Sequence, residues 1–361
     1  MKILHISTAI TWRGGEQQLT YLYEELQKQN IEQLIVCAHN SSLHTFCEKN
    51  NFNFFALTKR WNTDVFYAQQ LSKTINTFNA DIVHAHDAHA HTLALIAKSF
   101  FNAKAKLVVS RRVDFPVKNN MLSAWKYNSK HISKIICVSE AIENIMLQTV
   151  SKNKLAVVHS GIDCSKFEKP TGILRKEFSL ANDTLIIANV AALAPHKDYF
   201  TFLKTVKLLK EKYQLNAKYF AIGDGELKTT LLEETEKLNL KNDVIFTGFR
   251  NDINKIFSEI DILLFTSATE GLGTTVLDAF CCEVPVVATH AGGVSELVTH
   301  EKTGMLSPVK NAEQLAENVY QLVKNTTQKN TIVAKAKEKA ALFSKQQTAL
   351  KTLNIYKEVL S

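Results

Sequence analysis

The feature that most constrains this chain is a repeated alternation of short β-branched runs with longer stretches whose apolar residues fall at helical spacing. Residues 3–7 read as a strand, and 16–28 follow with Leu19, Leu22 and Leu26 on one helical face. Strand-like runs recur at 33–38, 52–56, 82–86, 106–110 and 134–139, with helical stretches at about 63–78 and 92–101. Buried strands separated by helices must lie parallel, because a parallel pair needs a long crossover, and the crossover helices cover both faces of the sheet. Residues 166–183 are polar and hold Pro170 and Gly172, which marks a linker. A second series then begins, with strands at 185–190, 218–222, 244–247, 262–265 and 284–289, and residues 311–361 are almost wholly helical. A chain of 361 residues exceeds what one core supports. The expectation is α/β: two Rossmann-like, doubly wound domains at 1–168 and 169–344, facing across a cleft at the carboxyl ends of their strands.

The block most charged with chemistry is Thr269-Glu270-Gly271-Leu272-Gly273-Thr274-Thr275-Val276-Leu277-Asp278, just after the strand ending at Phe265. Gly271 and Gly273 permit a tight turn and a close ligand approach. A helix starting near Thr274 turns unpaired N–H groups and its positive dipole end toward a phosphate. Glu270 in the loop and Asp278 one turn into the helix can both accept hydroxyls from one ligand; a solvated loop and an ordinary first-turn carboxylate are the plain alternative. Two other strand ends add to this. Lys197, in Ala194-Pro195-His196-Lys197-Asp198, offers an ammonium where a diphosphate needs a cation. Gly223 and Gly225, in Gly223-Asp224-Gly225-Glu226, permit close approach to a base or sugar, or serve a plain strand-to-helix turn.

Histidines 84, 86, 89 and 91 invite a metal reading. His84 and His86 share a strand face, but His89 and His91, two apart near a helix start, do not share one, so no metal site is expected. His86 and Asp87 end a strand at the ligand edge and are candidates to touch acceptor or donor sugar. Arg111, Arg112 and Asp114 sit on the next such loop, with acceptor contact or salt bridging as their two readings.

The six cysteines show no metal-type spacing, and most fall in apolar runs. They read as small buried hydrophobes in a reducing compartment, which places the chain in the cytoplasm. The N-terminal apolar run is too short for a signal core, and no segment reaches the ~18 apolar residues of a spanning helix, so a soluble protein is expected. The net charge of +8 sits mostly in the first 168 residues. An anionic acceptor, an anionic membrane at the inner face, or a merely solvated surface each accounts for it. A nucleic-acid partner is not expected, because interleaved aromatics and arginine clusters are missing.

Nine segments in order carry a resemblance: Gly14-Gly15, Ser160-Gly161-Ile162-Asp163, Pro195-His196-Lys197-Asp198, Gly223-Asp224-Gly225-Glu226, Thr247-Gly248-Phe249, Glu270-Gly271-Leu272-Gly273, Pro285-Val286-Val287-Ala288-Thr289, Gly292-Gly293-Val294-Ser295-Glu296-Leu297 and Lys302-Thr303-Gly304. Together they resemble the retaining glycosyltransferases of family four, which have the GT-B fold. The resemblance implies a metal-independent enzyme with no cofactor. It would move a sugar from a nucleotide diphosphate, UDP-type by preference, to a saccharide or lipid-linked acceptor in surface-glycan synthesis. A nucleotide-sugar epimerase of the same fold and a non-catalytic nucleotide-sugar-binding subunit stand as alternatives. The resemblance assigns Glu270 to the donor sugar's hydroxyls and Asp278 to the ribose, as the two acids of a Glu-x7-Glu motif. Lys197 and the amides of Gly271, Leu272, Gly273, Thr274 and Thr275 go to the diphosphate, and Gly14 and Gly15 to a loop that approaches the donor. It also implies that residues 345–361 return to the first domain. Three positions depart from the family pattern. Asp278 is shorter than glutamate by ~1.5 Å. Ala192 replaces an arginine, leaving Arg111 or Arg112 as candidates to supply charge from across the cleft. Glu283 stands where a helix-ending glycine is common.

Overall fold

The computed structural model describes residues 1–61, 63–117 and 120–361. In chain order the first elements are β1 (Lys2–Ser7), α1 (Gly14–Gln27), β2 (Glu32–Ala38), α2 (Ser42–Lys49), β3 (Phe54–Leu57), α3 (Val65–Phe78), β4 (Ile82–Ala85) and α4 (Ala88–Phe100). Then come β5 (Lys106–Arg111), α5 (Met121–Asn128), β6 (Ile132–Cys137), α6 (Glu140–Leu147) and β7 (Leu155–Val157). The second series runs α7 (Ile173–Glu177), β8 (Leu185–Val190), α8 (Tyr199–Glu211), β9 (Ala217–Ile222), α9 (Lys228–Lys237), β10 (Val244–Gly248), α10 (Ile253–Ile256) and β11 (Ile262–Phe265). It continues with α11 (Thr274–Cys281), β12 (Val286–Thr289), α12 (Val294–Leu297), β13 (Met305–Ser307), α13 (Ala312–Lys324) and α14 (Thr326–Ala341), and α15 (Lys345–Leu360) ends the chain.

These elements form two compact units, one of residues 1–161 with 345–361, the other of 162–344. Each is built on one parallel sheet, ordered β3-β2-β1-β4-β5-β6-β7 in the first unit and β10-β9-β8-β11-β12-β13 in the second. In both, the strand order reverses beside the unit's first strand: β1 pairs with both β2 and β4, and β8 with both β9 and β11. The connecting loops diverge there, so a hollow forms at the carboxyl ends of those strands.

The division falls at Gly161, earlier than the polar stretch after Glu168 suggested. Ile162 already belongs to the second unit, donating to Phe343 O at 2.8 Å and bridging Ser344. Gly161 stays with the first, where its N–H and C=O both pair with the Gln18 side chain at 2.7 Å. It has to be glycine for a packing reason, since a Cβ there would lie 2.7 Å from Thr348 Oγ1 and 2.8 Å from Lys345 Cα. That contact lets α15 lie along α1 and insert Leu353 and Tyr356 beside Ile3, Leu22 and Ile82.

A second correction concerns the cysteines. Cys164 and Cys281 are joined in a disulfide, while Cys37, Cys47, Cys137 and Cys282 are free. Cys164 lies in a short turn rather than an apolar strand, and that turn meets the last residue of α11. The expectation of six reduced, buried thiols therefore fails for this pair, and with it the cysteine argument for a cytoplasmic location. Among the described residues no helix is long and apolar enough to cross a membrane.

Glu283 shows why its position favours glycine. Just past the end of α11 it adopts φ 58°, a left-handed conformation costly for a residue with a Cβ. Backbone bonds from Glu283 N to Phe280 O and from Val284 N to Ala279 O close the helix end, as they would with glycine, and the side chain adds an exposed ion pair with Lys337 at 2.6 Å, which contributes little. Glu283→Gly is therefore expected to raise stability by roughly 0.5–1 kcal/mol, read as a higher urea midpoint at unchanged slope.

Candidate active site

In the second unit, three loops meet at the carboxyl edge of β8, β9 and β11. After β8 the chain makes a tight turn at Pro195–Lys197, and Asp198 at φ 47° then caps α8 by accepting from Thr201 N and Oγ1. That turn aims Lys197 at the loop after β11, where its ammonium pairs with Glu270 Oε1. The same oxygen accepts from Ser267 Oγ at 2.8 Å, and Lys197 lies 5.8 Å from the Phe265 ring. Glu270 Oε2 has no protein partner among the described residues, so this carboxylate keeps one oxygen for a hydroxyl while the other holds the cation. Lys197 and Glu270 are mostly buried, at 18% and 10% side-chain exposure, so the pair is not a solvated surface contact.

Gly273, at φ 87°, turns the chain into α11, and Thr274 and Thr275 open that helix with uncapped N–H groups. Gly271 and Leu272 form the preceding turn, with Leu272 buried. Asp278, one turn further, has a partner of its own: Lys166 Nζ sits 3.2 Å from its Oδ1. Burial holds the Asp278 carboxyl above its ordinary range, against the pull of Lys166. The structure thus joins Lys197 to Glu270 and commits Asp278 to a cation that the sequence did not suggest. Lys166 comes to Asp278 because its turn is tied to α11 by the Cys164–Cys281 disulfide.

Gly223 and Gly225 turn out to have a structural reason to be glycine. A Cβ at Gly223 would lie 2.1 Å from Ala191 O, and one at Gly225 2.5 Å from Leu193 O. The close approach they permit is that of the neighbouring loop's main chain. Gly14 and Gly15 differ. A Cβ at Gly14 would meet nothing within 4 Å, and one at Gly15 only the Arg112 side chain at 3.8 Å. Neither is demanded by packing or by a positive φ.

In the first unit a cavity of about 210 Å³ opens at the ends of β1, β4 and β5, lined by Gly15, Glu16, His86, Asp87, Arg111 and Arg112 among others. Asp87 is used up by the fold. It caps α4 through His89 N and Ala90 N, and takes Thr8 N, Thr8 Oγ1 and Ser7 Oγ as well. Glu16 is similarly engaged, accepting from Ser7 Oγ at 3.0 Å and from Arg13 N at 3.1 Å, which ties the start of α1 to β1.

Behind the cavity lies a layer of buried imidazoles. Register pairs His5 with His84, and His86 follows two residues along the same strand direction. His5 Nδ1 is 3.0 Å from His86 Nε2, and His5 Nε2 3.0 Å from Gln33 Oε1. His84 Nδ1 is 2.6 Å from the Tyr356 hydroxyl and Nε2 2.8 Å from Ser110 Oγ. The three imidazoles lie close enough to hold a metal ion, yet hydrogen bonds within the protein account for every nitrogen but His86 Nδ1. His89 and His91 do not join this layer, since His89 is exposed and His91 packs edge-on against Tyr127. His5, Gln33 and Glu16 escaped the sequence reading. The signal was available in principle, because the first strand of a doubly wound sheet sits beside the strand at the reversal.

Two doubly wound parallel units, each with charged side chains gathered at its strand-order reversal, define the GT-B class of α/β glycosyltransferases. The family description "Glycosyltransferase Family 4" matches residues 12–166, and "Glycosyl transferases group 1" matches 171–339. The chain belongs to this glycosyltransferase family and is a glycosyltransferase. It is 25% identical over 309 residues to N-acetyl-alpha-D-glucosaminyl L-malate synthase of Bacillus anthracis, covering 82% of this chain and 80% of that one. It is 24% identical over 325 residues to UDP-Gal:alpha-D-GlcNAc-diphosphoundecaprenol alpha-1,3-galactosyltransferase of Escherichia coli, covering 85% and 84%. In fold it matches HepE of Anabaena, solved with UDP and glucose, at a TM-score of 0.85 and 22% identity over 99% of this chain and 100% of that one. A glycosyltransferase of Rickettsia africae matches at 0.87 and 21%, over 100% and 98%.

The imidazole layer makes the first unit acid-sensitive. Burial pulls His5 down to about 4, with Gln33 pulling the other way, and it takes His84 and His86 well below 6.5. Between pH 6.5 and 4 the unfolded chain binds protons that the native unit refuses, so stability must fall as pH falls through that window. His5 alone should cost on the order of 2 kcal/mol between pH 7.5 and 5. Urea midpoints at the two pH values, for the wild type and for His5→Gln, check this; the variant should lose less on acidification.

Proposed function

We propose that the protein transfers a sugar, with retention at the anomeric carbon, from a UDP-type nucleotide diphosphate donor to a saccharide or lipid-linked acceptor. The observation that carries this reading is the Lys197–Glu270 pair beside the Gly273-led start of α11, at the strand-order reversal of the second unit. Breaking the anomeric C–O bond leaves charge on the departing diphosphate, so catalysis needs cations and N–H groups fixed there beforehand. Lys197 and the amides of residues 271–275 supply both, without recourse to a metal. Glu270 anchors the ammonium through Oε1 and offers Oε2 to a donor-sugar hydroxyl. Asp278 accepts a ribose hydroxyl alongside Lys166, whose proximity makes up for the shorter side chain. Glycine at positions 14 and 15, where nothing in the protein requires it, is accounted for by a ligand that approaches the start of α1. His86 faces the transferred sugar, and Arg111 and Arg112 bind the acceptor. The activities of the relatives support this reading: one acts on a lipid diphosphate acceptor with UDP-galactose, and HepE was solved with UDP and glucose. A cytoplasmic or inner-membrane-face location rests on the donor chemistry and on the excess positive charge of the first domain.

Purified protein, given a panel of nucleotide sugars and acceptors and followed by mass spectrometry, tests the reaction; EDTA should leave its rate unchanged. Lys197→Ala and Glu270→Ala should each reduce turnover by about 10²-fold or more with melting temperature little altered. An undiminished rate in folded Lys197→Ala would discard the donor assignment. The glycines give a contrast: Gly14→Ala should be as stable as the wild type yet slower, whereas Gly223→Ala should lose roughly 1–3 kcal/mol of stability.

A further inference from the structure

Arg112 is the unexplained charge of the first unit. It is half-buried beside the cavity, and among the described residues no carboxylate lies within ion-pair distance of it. Its best polar contact is a long one, Nη1 to Ser160 Oγ at 3.5 Å, and its Nε has no partner. Burial pulls this guanidinium down to about 10, against the distant attraction of Glu16 and Tyr356. A guanidinium taken out of water without a counter-charge is costly, and proteins keep such groups where an anion arrives.

Its surroundings point the same way. Arg111, also on the cavity wall, spends one arm on Tyr127 Oη and another on Phe115 O, and leaves its Nε without a partner. His86 Nδ1 and His91 Nε2 are buried, unpartnered and on residues of the same wall. Four nitrogens without partners therefore belong to residues that line one hollow, two of them cations and two neutral imidazoles. The two carboxylates of the wall, Glu16 and Asp87, already take at least two donors each from the protein and do not answer the arginines. What the hollow lacks is a group rich in acceptor oxygens and negative charge.

We propose that this cavity is an anion subsite, and that the acceptor of the reaction carries a phosphate or carboxylate group that Arg112 receives, with Arg111 beside it. The inference rests on the glycosyltransfer reading above and narrows its acceptor to an anionic one. A fork of N–H groups on Arg112 matches two oxygens of such a group at once, which an ammonium could not do. His86 and His91, kept neutral by burial, add hydrogen bonds without adding charge. The donor diphosphate is the other source of the same chemistry. It already finds a cation and a helix start in the second unit, which leaves this arginine to the acceptor.

The test uses the full chain with inorganic phosphate as probe and UDP as the donor-side control, each titrated calorimetrically. Phosphate should bind the wild type and Lys197→Ala alike and bind Arg112→Gln at least tenfold more weakly, while UDP affinity in Arg112→Gln stays within twofold. Phosphate affinity unchanged in Arg112→Gln, or no phosphate binding to the wild type, overturns the subsite. A tenfold loss of UDP affinity in Arg112→Gln assigns the cation to the donor and overturns the acceptor reading. If UDP fails to bind the wild type while phosphate still depends on Arg112, the donor assignment falls and the anion subsite stands. Should Arg112→Gln not fold, Arg112→Lys keeps the charge but loses the fork; weaker phosphate binding supports the proposal, and undiminished binding overturns it.

Discussion

A parallel strand has to hand the chain to a helix, and in a doubly wound sheet every strand does so at the same edge. That requirement governs this protein twice. It brings the loops after β1, β4 and β5 together in the first unit, and those after β8, β9 and β11 together in the second. Where the strand order reverses, neighbouring crossovers leave on opposite faces and no helix covers the strand ends. The side chains placed there, Arg112 and His86 in one unit, Lys197 and Glu270 in the other, occur far apart in sequence and converge because the topology leaves them nowhere else to go.

The two hollows solve the problem of buried charge differently. In the second unit Lys197 has Glu270, and Asp278 has Lys166, so each charge is offset inside the protein before any ligand arrives. A ligand there exchanges partners rather than supplying a missing one. In the first unit the polar load falls on imidazoles that burial keeps neutral, on carboxylates consumed as caps, and on an arginine left without a counter-charge. Capping by Asp87 and Glu16 fixes the entry of α4 and α1. The same bonds fix the walls on which His86 and Arg112 stand.

How much of this was legible in the sequence follows from the range of the forces involved. Periodicity shows local burial, and the strands at 185–190 and 262–265 lie where their β-branched runs put them. Glycine-led loops at strand ends also showed, because a missing Cβ is a local fact. What glycine is for did not show. Gly223 and Gly225 admit a neighbouring loop, Gly161 admits a helix from the far end of the chain, while a Cβ at Gly14 would meet nothing and one at Gly15 only the Arg112 side chain. Strand β7 and the short β13 were too brief to carry a pattern. Partners across the sheet, His5 with His84 or Lys166 with Asp278, are set by register and by a disulfide between residues 117 apart, and no window of sequence contains them.

The disulfide also bears on what Asp278 can do. An aspartate replacing glutamate in a ligand-facing position falls short of its target unless the ligand or the scaffold moves in. Here the scaffold has added a cation on the near side instead, with Lys166 delivered by the turn that Cys164 ties to the end of α11. A ribose hydroxyl brought to this pair would meet both an acceptor and a donor, where a lone glutamate offers only an acceptor. If the diphosphate is received in the second unit as proposed, Ala192 supplies none of the charge that the family pattern's arginine would, and Lys197 with the α11 amides has to carry it.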